Sequence, residues 1–229
     1  MRRPSRRDRA CPEEREDNLK LYTYWRSTSS YRVRIGLALK NIEVEHCHVH
    51  LVRNGGEQKA DSYRAINPQG RVPALALDDG TVLTQSPAIL EYLEEAYPDP
   101  NLLPSDPVKR AKLRSVAAII GCDIHPLHNV GPPNHLRKEF GRSEADVGSW
   151  ISTWLGQGFA AIETMIGDDG FCFGAEPSLA DVYLVPQLYA ARRFDVPLAG
   201  YPRIVRVERI AAEHPAFRKA HPSRQPDAE

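Results

Sequence analysis

Arg26-Ser27-Thr28-Ser29-Ser30-Tyr31-Arg32-Val33-Arg34-Ile35 joins two stretches of different hydrophobic period. Upstream, Leu19-Lys20-Leu21-Tyr22-Thr23-Tyr24 alternates apolar with more polar residues, the period of a half-buried strand. Downstream, Val33, Ile35, Leu37 and Leu39 with Lys40 predict a helix over about Tyr31 to Lys40. Between them stand four consecutive hydroxyl residues, a type favoured at N-caps because its oxygen accepts from the free amides of a first helical turn. The order is therefore strand, hydroxyl-rich loop, helix start. Unpaired amides and the positive end of the helix dipole meet at such a point and suit an anion. A thiolate held there is stabilised, as protein thiols are in comparable places.

At 229 residues the chain fits one large or two small domains. Lys plus Arg and Asp plus Glu number 30 each, so the charge balance argues against a broad nucleic-acid or membrane surface. Cys11, Cys47, Cys122 and Cys172 form no Cys-x-x-Cys pair and no zinc spacing, and read as reduced thiols of a cytoplasmic protein. No apolar run reaches the roughly 18 residues of a membrane span. No apolar signal core follows the N-terminus. Residues 1–18 hold six arginines and two prolines with almost nothing apolar, the composition of a disordered extension. The run Glu13-Glu14-Arg15-Glu16-Asp17 argues against a targeting peptide.

From Leu19 the pattern continues with a strand at Val44 to Val49, a polar segment carrying Gly55-Gly56, strands at Ala74 to Leu77 and Thr81 to Thr84, and a helix from Ser86 to about Tyr97. Alternation first and a hairpin last gives βαβ followed by ββα, a thioredoxin-like order. Prolines 98, 100, 104 and 107 mark a linker, and beyond it every long segment has helical period. The expected organisation is an extension at 1–18, an α/β thioredoxin-like domain at 19–102, a linker at 103–108 and an all-α domain at 109–229. In the second domain, helices are expected over Val108 to Cys122 and Ala145 to Met165, the latter with Trp150, Trp154, Leu155, Phe159 and Ile162 inward. Ser178 and Asp181 have capping-box spacing, a folding signal.

The segment Ser27-Thr28-Ser29-Ser30-Tyr31-Arg32-Val33-Arg34-Ile35-Gly36-Leu37 resembles the Ser-Ser-Cys-x-Trp-Arg-Val-Arg-Ile-Ala-Leu motif of zeta-class glutathione transferases, the class of maleylacetoacetate and maleylpyruvate isomerases. Ser29 stands where that motif has Cys, and Tyr31 where it has Trp. The resemblance spans roughly residues 19–226. It implies the cytosolic glutathione transferase fold, glutathione as cofactor and a homodimer.

Several residues then match the family's glutathione site. Ser27 and Ser29 are the hydroxyls that promote thiol ionisation, with Thr28 beside them. Val72-Pro73 matches the cis-proline element, whose preceding residue pairs through its backbone with an extended peptide as an added strand does. Gln85-Ser86 resembles the pair that binds the γ-glutamyl carboxylate, although Ser86 alone also fits an ordinary N-cap. His50 and Gln69 are candidates for the peptide or its glycine end. Asp123-Ile124-His125-Pro126-Leu127-His128-Asn129 also looks like family sequence, with His125 and Asn129 lining the cleft, four apart on one face if the helix continues.

The implied reaction is cis–trans isomerisation of a dicarboxylate-like substrate: thiolate addition to the conjugated bond gives an enolate, rotation follows, and elimination restores glutathione. Anionic substrate ends need cations. Arg26 is expected to take a substrate carboxylate, as is one of Arg192-Arg193, a pair resembling the family's Arg-Arg-Phe; Arg193 is slightly preferred. Arg32 and Arg34 read as structural ion-pair partners. The family commonly places basic residues just after the asparagine, whereas this chain reads Val130-Gly131-Pro132-Pro133-Asn134, whose prolines are expected to break the helix. Rival readings are a generalist zeta transferase acting on α-halo acids and a non-catalytic binding protein. His46, His48 and His50 alternate on a strand without further ligands, so no metal is expected.

Overall fold

The computed structural model describes residues 18–229, and the extension expected at 1–18 lies almost wholly outside them. Strand β1 (Lys20–Thr23) is central. It pairs in parallel with β2 (Glu45–His48) and antiparallel with β3 (Ala74–Ala76), which pairs antiparallel with β4 (Val82–Thr84) in the order β2-β1-β3-β4. Helix α1 (Thr28–Leu39) crosses from β1 to β2, α2 (Asp61–Arg64) precedes the hairpin, and α3 (Ser86–Ala96) follows it. This is the thioredoxin-like order expected from the sequence. Leu19, Leu21, Val33, Leu37, Leu75, Ile89 and Leu93 form its core.

Helix α1 starts at Thr28, three residues ahead of the expected position, because Ser27 caps it by accepting from the Ser30 amide at 3.2 Å. Only Ser29 and Ala38 of its residues escape burial, since the sheet covers one side and the helical part the other. Its last turn is tied to the linker through Lys40, which pairs with buried Glu94 at 2.9 Å and donates to the carbonyls of Tyr97 and Pro100. Glu94 in turn accepts from the Leu102 and Leu103 amides, so both buried charges are satisfied.

The helical part runs α4 (Pro107–Ala118), a π-helical stretch (Ile119–Ile124), α5 (His125–His128), α6 (Gly131–Glu139), α7 (Glu144–Met165), α8 (Leu179–Arg193), α9 (Pro202–Glu213) and α10 (Pro215–Ala220). The core helix is α8, opened by the expected capping box: Asp181 accepts from the Ser178 amide and hydroxyl, and also from the Cys172 amide at 2.8 Å. Two expectations need correction. Pro132 and Pro133 start α6 instead of ending a helix, because a first turn has no use for their missing N–H groups. Trp150 and Trp154 are half-buried; they meet edge to face, and Trp150 Nε1 donates to Leu127 O at 2.8 Å. The π-helical stretch sits tightly on α7, where a Cβ at Gly158 would lie 2.1 Å from Ile124 Cδ1. That contact and the extra residue of the wider turn set the phase at which His125 leaves the helix.

Candidate active site

The site begins at the α1 N-terminus. Ser27 Oγ accepts the Ser30 amide, which leaves its O–H free to donate outward. Thr28 and Ser29 meet the helical part across the domain junction. Thr28 Oγ1 lies 3.1 Å from His125 Nδ1, and Ser29 Oγ lies 3.0 Å from His125 Nε2. The loop leading into α1 is fixed by Arg34, whose guanidinium donates to Thr23 Oγ1 and to the carbonyls of Tyr24, Trp25 and Ala220. Arg34 is structural as expected, but its partners are carbonyls and a hydroxyl instead of a carboxylate.

Beside Ser29 opens a narrow cavity of about 90 Å³ lined by Arg32, Gln69, Val72, Pro73, Gln85 and Ser86, with His125 and Asn129 from the helical part. The Val72–Pro73 peptide is cis. Neither the Val72 amide nor its carbonyl has a partner among the described residues. Gln85 is held at φ 69°, a backbone region a side chain rarely adopts, directly ahead of the first turn of α3. Its side-chain Nε2 donates to Gln69 Oε1. Arg32 is 2% exposed, yet Nε and Nη2 have no partner among the described residues; Nη1 reaches Ser86 Oγ at 3.4 Å, and the guanidinium lies over the Tyr183 ring at 4.8 Å. Burial pulls its pKa down to about 10. A buried guanidinium without a carboxylate demands an anion from outside.

The narrow cavity adjoins a larger cleft of about 540 Å³ lined by Arg26, Ser27, Thr28, Ser29, Arg71, His125, His128, Asn129 and Arg193. Among the described residues no aspartate or glutamate lines it. Its three arginines make no ion pair among the described residues. Arg26 rests on the Trp25 ring, and Arg193 lies along Tyr189 and Phe194. Burial, then the charge of Arg26, lowers the Arg193 pKa. Burial, then the charge of Arg32, holds His125 well below the ordinary histidine range, and burial pushes His128 down to about 4. Both rings are neutral at pH 7. Gln187 Nε2 lies 2.7 Å from His128 Nε2, a pairing in which the side-chain amide donates to the unprotonated nitrogen of the neutral ring.

The family model for the glutathione S-transferase N-terminal domain matches residues 21–101, and that for the C-terminal domain matches residues 155–219. Maleylacetoacetate isomerase of Pseudomonas aeruginosa PAO1 is 62% identical over 91% of this chain and 98% of its own. A holo structure of maleylpyruvate isomerase, a bacterial zeta-class enzyme, superposes with TM-score 0.87 at 48% identity, over 92% of this chain and all of the other. Maleylacetoacetate isomerase of Methylobacterium extorquens AM1, solved with malonate and glutathione bound, gives TM-score 0.86 at 37% identity, over 92% of this chain and 99% of its own. The chain belongs to the zeta class of the glutathione S-transferase family.

For a glutathione S-transferase the cavity has the donor set that glutathione requires. The tripeptide carries two carboxylates, an ammonium and a central amide. Unpaired Val72 backbone groups suit the amide, and the orphaned Arg32 nitrogens with the α3 first turn suit a carboxylate. Most of the residues expected from sequence come together in this transferase site: Arg26, Ser27, Thr28, Ser29, Gln69, Val72, Pro73, Gln85, Ser86, His125, Asn129 and Arg193 line one cavity or both. Two do not. Arg192 points away and pairs with Glu208 of α9 at 2.7 Å. His50 spends its ring on its own loop: Nδ1 accepts from the Val52 and Arg53 amides, and Nε2 meets Glu229.

His125 and Asn129 share the site without sharing a helix, because α5 ends at His128 and Asn129 turns extended, its Oδ1 accepting from the Val130 amide. Sequence reading missed Arg71 and misjudged Arg32; the available signal was position, since both lie inside or against the matched motifs. Among the described residues no cluster of His, Cys, Asp or Glu could hold a metal, and no helix is long and apolar enough to cross a membrane.

Proposed function

We propose that this chain is a glutathione-dependent cis–trans isomerase of maleylacetoacetate or maleylpyruvate, serving aromatic-acid catabolism. The supporting observation is electrostatic: Arg26, Arg71 and Arg193 line the cleft in front of the α1 hydroxyls, with no carboxylate among the described lining residues. A doubly anionic substrate complements such a lining. When bound, glutathione supplies the thiolate that adds to the conjugated double bond and leaves once rotation is complete.

The chain's own residues then have defined tasks. The Ser27 hydroxyl donates toward a sulfur at the start of α1, because its lone pair already serves the Ser30 amide. The free amides and dipole of that first turn add to its effect. The neutral His125 ring holds the Thr28 and Ser29 hydroxyls in place. With the ring proton on Nε2, it donates to Ser29 Oγ and leaves the Ser29 O–H free to face the same sulfur. Arg32, Ser86 and Val72 hold the tripeptide, while Arg26 and Arg193 orient a substrate carboxylate. The same reading assigns glutathione to residues 19–102 and substrate to 109–229, and takes the chain as a cytoplasmic homodimer.

The deciding experiment follows loss of each cis isomer with purified protein, with and without glutathione. Glutathione-dependent conversion of either supports the reading and the ratio of kcat/KM values selects the substrate. No conversion of either overturns it. Sedimentation equilibrium at micromolar concentration tests the dimer separately.

A further inference from the structure

We infer that Arg71 is a substrate-binding residue that receives the second carboxylate of the substrate. Its residue is built into the site at the backbone. Tyr63 Oη and Asn67 Nδ2 donate to the Arg71 carbonyl at 2.8 and 2.7 Å, and Asn67 Oδ1 accepts from the Gln69 amide. The side chain by contrast is exposed and makes no hydrogen bond or ion pair among the described residues. An unattached surface arginine is ordinarily solvated. This one projects from the residue before Val72 and lines both the narrow cavity and the cleft, whereas Arg26 and Arg193 line the cleft alone.

The cations therefore occupy two stations. Arg26 and Arg193 share the cleft and stay out of the narrow cavity. Arg71 instead lines the narrow cavity together with His125, the ring between Thr28 and Ser29. Two separate cation stations are what a substrate with a carboxylate at either end of a short unsaturated chain requires. Of the described lining residues from the helical part Arg193 is the one arginine, and Val130-Gly131-Pro132 carry no charge, so a second carboxylate needs a cation from elsewhere. Arg71 supplies that charge from the thioredoxin-like side, as a bidentate fork suited to a carboxylate.

The inference rests on the dicarboxylate reading above, and glutathione's own carboxylates are the competing source of the same chemistry. Calorimetric titration separates the two. Wild type, Arg71→Gln and Arg71→Lys are titrated with malonate, an unreactive dicarboxylate, in the presence of glutathione, and with glutathione alone. Arg71→Gln is expected to weaken malonate about tenfold, Arg71→Lys to recover most of that loss, and glutathione affinity to change less than about twofold. With the maleyl substrates, KM is expected to rise about tenfold while kcat is nearly kept. Unchanged malonate binding in Arg71→Gln, or a fall in glutathione affinity in place of malonate affinity, overturns the assignment. If the malonate result holds while wild type isomerises neither substrate, Arg71 is retained as a dicarboxylate ligand and the isomerase reading is the one that fails.

Discussion

Ser29 Oγ and His125 Nε2 lie 3.0 Å apart across the junction of the two parts of the chain, and the other ring nitrogen of His125 is engaged by Thr28. A ring bonded on both sides and walled from water stays neutral. Burial and then the charge of Arg32 hold the His125 pKa well below 6.5, and burial takes His128 from 6.5 to about 4. An unfolded chain has both near 6.5. Below that pH the unfolded state binds protons that the folded state refuses, so stability falls as pH drops from about 6.5 toward about 4, and neither ring contributes above it. For His128 the full effect is about 3 kcal/mol, reached near pH 4. The gap in Tm between wild type and His128→Asn is therefore expected to narrow as pH is lowered from 7 to 4.5. A gap independent of pH would show that His128 is not held neutral.

Ser27 has one hydroxyl for two duties, capping α1 and facing the sulfur. Ser27→Ala is expected to raise the pKa of bound glutathione by about one unit, the effect of one hydrogen bond to a charged group, as read from thiolate absorbance against pH. Turnover should fall more than glutathione affinity. Loss of the cap should lower stability by about 1 kcal/mol. An unshifted thiol pKa with the same stability loss would leave Ser27 as a cap only.

Arg192 and Arg193 are adjacent in sequence but about 100° apart around α8. That rotation sends Arg192 to Glu208 and Arg193 to the cleft. Arg193→Ala is expected to lower kcat/KM for the maleyl substrates about tenfold or more, with glutathione affinity unchanged. Arg192→Ala removes only a surface pair worth less than about 1 kcal/mol, and its kinetics should match wild type. Equal effects of the two substitutions would reject the division.

What sequence could reveal here was local. Ser27 to Leu39 is legible because a cap and a hydrophobic period are written in neighbouring residues, and Val72-Pro73 and Gln85-Ser86 because each sits where strand meets turn. What depends on distant partners was not. Arg32 and Arg34 look alike two residues apart, yet Arg34 finds the Ala220 carbonyl 186 positions away, while Arg32 finds no acid among the described residues. His125 and Asn129 both line the cavities, but they do not share a helix, since a π-helical turn packed on α7 precedes them and Asn129 turns extended. Arg71 had only its place beside Val72-Pro73 as a signal: an exposed arginine in a loop reads as solvated until the cleft is assembled around it.

Arg32 offers the sharpest separation of stability from function. Its guanidinium is buried, two of its nitrogens lack partners, and its pKa is lowered from 12.5 to about 10, chiefly by desolvation. A base whose pKa is depressed on folding opposes folding at every pH below its unfolded pKa. The cation–π contact with Tyr183 and the long bond to Ser86 offset part of that cost. Replacing the side chain with an apolar one of similar length removes the unpaired charge, and such exchanges are often neutral or stabilising. Arg32→Met is therefore expected to keep or raise Tm in the absence of glutathione while weakening glutathione about tenfold, since the counter-charge for its carboxylate is gone. Rising ionic strength should weaken glutathione in wild type more than in Arg32→Met. A lower Tm with intact glutathione affinity would make Arg32 a structural residue, as its sequence context alone suggests.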